Sequence, residues 1–161
     1  ADALGRRAQY DAWYAKYQAK VAEVKTAIGD KATNAVVAPV SYWDGKVNSS
    51  CYTGLECQTF EDLGLTIFAP AKEKNGDGIE LSGENLGKLK PITYAFMTVG
   101  AGDSGQKEFQ TTTDTLGKNK LWTALPFVAD DHIVPDEMEM TYGSPSAAMA
   151  FLDVVQKSFT S

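Results

Sequence analysis

Histidine occurs once in these 161 residues, at His132, and cysteine twice, at Cys51 and Cys57. A single imidazole excludes histidine-rich metal sites. No apolar run approaches the ~20 residues that cross a bilayer. Basic residues are in deficit, 15 against 21 acidic, for a formal charge of −6. A nucleic-acid binder would carry a basic face, so that class is set aside. The chain opens on a polar, helix-prone stretch that does not read as a signal peptide. It has no internal repeat and no low-complexity tail. Its composition, 43% hydrophobic and 11% aromatic, is that of an ordinary globular chain of one-domain length. Such a chain can bury about two-thirds of its unfolded surface.

The two cysteines stand six positions apart in CYTGLEC. That is neither a CxxC pair nor half of a zinc site, because there is no second pair. Two readings stand. One is a local disulfide, worth roughly 2–3 kcal/mol and at home outside the cytoplasm. The other is two buried thiols.

Apolar spacing predicts one long helix over the first 28 residues. Tyr10, Tyr14, Tyr17, Val21, Val24 and Ile28 form its stripe, and Gly29 stops it. It would be about 42 Å long. Thr33–Val40 reads as a buried strand, and Ser41–Ser50 as a polar loop opening on two aromatics. A helix over Thr53–Leu63 ends at Gly64, and a short strand follows at Thr66–Ala69. Pro70–Ile79 reads as loop, and Ser82 as the N-cap of a helix to about Leu89. Then come a strand at Ile92–Val99, a flexible loop at Gly100–Gly105 and a helix over Gln106–Leu116. A helical turn at Leu121–Leu125, a strand at His132–Val134, a loop at Met138–Ser144 and a final capped helix complete the order. Alternating strands and helices predict an α/β fold: a three-layer lobe with a mainly parallel central sheet flanked by helices. Ligands bind such sheets at the carboxyl ends of the strands. The loops there are Ser41–Ser50, Gly100–Gly105 and the one after Val134.

Catalytic constellations are weak. A serine nucleophile in GDSG (Gly102–Gly105) would need His132 as its base, and no nucleophile elbow surrounds it. NGDG at Asn75–Gly78 is an incomplete calcium loop. Asp130–Asp131 reads as a solvated turn, and GAGDSG as a connection rather than a phosphate cradle. The aromatics are more informative. Tyr42 and Trp43 follow the first strand, and Tyr142, with Met138 and Met140, precedes the last helix. Together they suit a bulky, partly apolar ligand.

Five segments resemble one family in order: ADALGRRAQYDAWYAKYQAKVAEVKTAIGD, FEDLGL, ELSGENLGKLKPITYAFMTV, KLWTALPFVADDHIVPDE and GSPSAAMAFLDVVQKSF. They are similar to the C-terminal lobe of the siderophore-binding proteins of iron ABC importers, the class with a rigid interdomain helix. The resemblance implies an interdomain backbone helix over 1–29 and a substrate-binding lobe over 30–161. It implies capture of a ferric siderophore and delivery to a membrane permease, without catalysis. Iron would be carried within the siderophore, with no protein metal ligand and no other cofactor. Ligand contacts would come from strand-end loops, where Tyr42, Trp43, Tyr142, Met138 and Met140 fall. Glu84, in the family's SxExL position, would dock on permease arginines, with Glu80 as the alternative. The resemblance favours the Cys51–Cys57 disulfide. It also implies a missing N-terminal lobe with its lipid anchor, at the cell surface or in the periplasm. Asp131 stands where the family has glycine, and Pro91–Ile92 replaces its Pro-Asp. Two alternatives are a haem- or corrinoid-binding lobe, with Tyr42, Tyr142 or Met140 as axial ligand, and an enzyme or metal-cluster scaffold using the two thiols.

Overall fold

A computed structural model of the chain describes residues 5–52 and 54–161. Its elements, in order, are α1 (Arg7–Ile28), β1 (Val36–Trp43), β2 (Lys46–Ser49), α2 (Leu55–Leu63), β3 (Thr66–Ile67), β4 (Ile79–Leu81), β5 (Tyr94–Val99), α3 (Gly102–Leu116), α4 (Lys120–Thr123), α5 (Pro126–Ala129), β6 (Ile133–Glu137), α6 (Met138–Thr141) and α7 (Pro145–Thr160). The sheet runs β4-β2-β1-β5-β6, and β3 pairs with the first residues of β1. Pairings β1–β3, β1–β5 and β5–β6 are parallel; β1–β2 and β2–β4 are antiparallel.

Side-chain alternation divides the interior into two cores. Ala38 and Val40 of β1 and Ala95, Met97 and Val99 of β5 face one side, where Leu89, Leu116, Trp122 and Phe127 cover them. Val37 and Phe96 face the other side, under Phe60 of α2, Phe151 and Val155 of α7, and Val21 and Val24 of α1. This is the expected three-layer lobe. Each fully buried aliphatic or aromatic side chain contributes about 1.5–3 kcal/mol.

Helix α1 has 22 residues, about 33 Å at 1.5 Å each. It begins at Arg7, not at the chain's first residue; the expected helix over positions 1–4 lies outside the described residues. The lower part of the predicted stripe is buried: Tyr17, Val21, Val24 and Ile28. Tyr10 and Tyr14 remain 46% and 45% exposed, because the stripe runs past the packed face. Tyr17 donates to Asp62 at 2.7 Å, Trp13 Nε1 to the Pro145 carbonyl at 3.3 Å, and Lys20 pairs with Asp153 at 2.9 Å. These bonds fasten α1 to α2 and α7.

Several loop expectations are overturned. Residues 41–50 form a hairpin: β1 continues through Trp43 and β2 returns. The turn is Asp44-Gly45, both at positive φ (49° and 75°), the conformation that a two-residue hairpin demands and Asp-Gly supplies. Gly102–Gly105 is the first turn of α3, not a flexible loop. Residues 138–141 make a helical turn, and Ile79–Leu81 is a strand. Ser82 caps no helix; it starts a turn, held by Asn85 Nδ2 donating to Ser82 Oγ at 3.0 Å, that leads into a 3-10 helix at Leu86–Leu89. Thr53, the expected start of α2, lies outside the described residues; the helix itself begins at Leu55 and stops at left-handed Gly64.

Candidate functional site

Two clefts open at the carboxyl ends of the parallel strands. The first, about 240 Å³, lies between the hairpin, α2 and α6. Ser41, Asn48, Ser50, Glu56, Thr98, Met138 and Tyr142 line it. The second, about 500 Å³, lies between α3 and α6 and is lined by Gly102, Phe109, Glu137 and Met140 among others.

The predicted contact residues divide between these places. Met138 (46% exposed) and Tyr142 (74% exposed) line the first cleft. Trp43 is 80% exposed. It stands two residues beyond Ser41, which lines the cleft, and so shares Ser41's face of β1, but it does not itself line the cleft. Tyr42 points to the opposite face with its partner Val47 and packs, half-buried, against the first core. Met140 lines the second cleft and packs partly against the second core. Glu84 is exposed on the turn before the 3-10 helix, where Ser82 Oγ donates to it at 3.3 Å. Glu80 of β4 pairs with Lys46 of the neighbouring strand β2.

Cys51 and Cys57 form a disulfide, leaving no free thiol. It ties the strand leaving the hairpin to the first turn of α2. The Asn75–Gly78 segment supports the same place from below. Gly76 O accepts from Cys51 N–H at 3.0 Å, and a Cβ on Gly78 would lie 2.0 Å from the Ser49 carbonyl. The incomplete calcium motif is thus a packing element.

The serine reading has no geometry. His132 precedes β6 and stacks on Tyr94 at 4.1 Å. Ser104 lies past the far end of β5 and donates to the Ala101 carbonyl at 2.8 Å. GAGDSG does have the G-x-G-x-x-G spacing between a strand and a helix, and Gly105 is so close to Gly100 that a Cβ would lie 1.8 Å from its carbonyl oxygen. Yet the backbone donors of a phosphate cradle are taken. Gly102 N–H donates to Glu137 at 3.0 Å and Gly100 N–H to Glu108 at 2.8 Å. Two carboxylates there repel phosphate.

Two residues missed in the sequence dominate the first cleft's electrostatics. Glu56 lines it at 3% exposure, and Asp136 in β6 is 1% exposed. Among the described residues, neither Asp136 carboxyl oxygen has a hydrogen-bond partner. Burial, and then the nearby Glu56, push Asp136 up to about 8. Burial also raises Glu56. No sequence signal marks them: one acid in a helix's first turn and one in a strand are ordinary. Tyr52, 72% exposed beside the disulfide, is a further exposed aromatic that the spacing did not single out.

No protein-family model matches the chain, and no curated protein matches it in sequence. Solved structures do. A siderophore periplasmic binding protein from the fuscachelin gene cluster of Thermobifida fusca matches at TM-score 0.75 and 20% identity, over 92% of this chain and 52% of that one. FeuA of Bacillus subtilis, solved with ferri-bacillibactin, matches at 0.74 and 22%, over 97% and 55%. FhuD2 of Staphylococcus aureus matches at 0.74 and 16%, over 99% and 60%. The chain therefore spans between about half and three-fifths of the length of these structures. Its fold is the α/β fold found in siderophore periplasmic binding proteins, with a long helix leading into a sheet flanked on both faces.

Proposed function

We propose that this chain is the C-terminal lobe of an extracytoplasmic solute-binding protein that captures a ferric siderophore and delivers it to an ABC importer permease. The observation that carries the reading is the pair of exposed side chains Tyr142 and Met138 lining a cleft at the strand ends, with Trp43 exposed at the end of β1. Exposed large apolar side chains gathered at one opening mark a binding surface. The fold likeness supports it, since the similar proteins bind siderophores in their own right. The disulfide supports an oxidising compartment. In this reading α1 belongs to the interdomain segment 1–29 and a second lobe closes over the cleft. Iron is cargo, held by the siderophore. Glu84, exposed on its turn, is the docking contact for the permease.

Tryptophan fluorescence tests it, with a panel of ferric siderophores and with haem and cobalamin as controls. Trp122 is buried and Trp13 is bonded to Pro145, so saturable quenching by ferric siderophores should vanish in Trp43→Ala. Absence of any response to ferric complexes, or a response to haem or cobalamin alone, overturns the reading.

A further inference from the structure

Buried carboxylates are normally paired with a cation. Glu56 is not: no lysine, arginine or histidine lines its cleft. What its carboxylate gains is local, a place in the first turn of α2, where the free amides favour negative charge. Behind it, Asp136 is almost wholly buried with both carboxyl oxygens unpartnered. Burial beside another carboxyl keeps a proton on Asp136 at neutral pH. Of the two carboxyl groups, Glu56 is the one that lines the cleft. The other polar groups on the wall, those of Ser41, Asn48, Ser50, Thr98, Thr141 and Tyr142, include no basic group. At about 240 Å³ the cleft is smaller than the usual 300–1,000 Å³ ligand pocket, so it holds an arm of a ligand rather than the whole.

The geometry points to a protonated amine on the ligand as the missing partner of Glu56. This rests on the siderophore reading above and narrows it. The ferric complex carries a cationic arm that enters the cleft, while its bulk lies on Tyr142, Met138 and Trp43. A tris-catecholate complex, which is anionic, would meet a carboxylate with no basic side chain in the cleft to offset it.

A matched pair of probes tests this by calorimetry at pH 7.5: the ferric complex of a linear tris-hydroxamate ending in a primary amine, and its N-acetylated form. The amine form should bind about tenfold tighter or more, the worth of a charge-assisted hydrogen bond. The ratio should fall to about one in Glu56→Gln. Should that variant not fold, Asn48→Lys, which sets an internal ammonium in the cleft, should abolish the preference in the same way. Equal binding of the two forms, or binding of a ferric tris-catecholate in place of both, overturns the inference and leaves the siderophore reading standing. Binding of no ferric complex overturns both.

Discussion

Asp136 should make the protein less stable as pH rises, the reverse of the usual carboxylate effect. A carboxylate that is salt-bridged in the native state has its pKa lowered and stabilises at high pH. Asp136 has its pKa raised, to about 8 from an ordinary 3.8. Between those values the native state holds a proton that the unfolded state has lost, so stability falls as the proton becomes harder to keep. The window opens near pH 4 and closes near pH 8. From pH 5 to pH 8, a slope of about 1.4 kcal/mol per unit, easing near the native value, gives a loss of order 3–4 kcal/mol. For a domain of this size that is a fall in Tm of about 10 °C. Asp136→Asn keeps the shape and removes the titration. Melting curves by circular dichroism at half-unit steps should show the wild type declining more steeply than the variant, in which the raised Glu56 still titrates. Parallel curves over this range would refute the reasoning, because they would show that Asp136 is ionised in the native state.

Replacing Cys51 and Cys57 together by serine opens a loop with a sequence separation of 6; the chain-entropy model gives a loss of about 2 kcal/mol, to be read from the urea midpoint. Asp131 sits at φ 58°, so Asp131→Val should cost about 1–2 kcal/mol. Asp131→Gly should cost nothing or stabilise slightly, and chemical denaturation of the two variants separates them.

The layer order was legible because it rests on strong signals. The apolar runs over Ile92–Val99 and the Tyr17–Ile28 stripe both became core, since burial follows periodicity directly. The hairpin at Trp43–Lys46 was legible too, through Asp44-Gly45, and reading the polar residues around it as loop concealed it. Polarity there reflects a strand with one face open to a cleft. Extending β1 by three residues, from Val40 to Trp43, assigns opposite faces to Tyr42 and Trp43, so adjacent aromatics that looked equivalent are not. The helical start at Gly102 was hidden because the carboxylate that accepts from its N–H, Glu137, is brought in by tertiary structure. Glu56 and Asp136 were illegible for a similar reason. They are 80 positions apart in the chain, and nothing local announces a carboxyl that will be buried. Asp131 was the informative departure: the glycine expected there reports a left-handed backbone, and aspartate tolerates that conformation.

The two margins of the sheet also bear on how the molecule keeps to itself. One margin is β4, only three residues long, with the Glu80 charge on it. The other is β6, where Pro135 lacks an amide donor and is followed by two acids. Short, charged or proline-bearing margins are poor templates for strand addition by another molecule. A lobe built this way should stay dispersed at high concentration, its sheet ending where the fold ends rather than growing into fibrils.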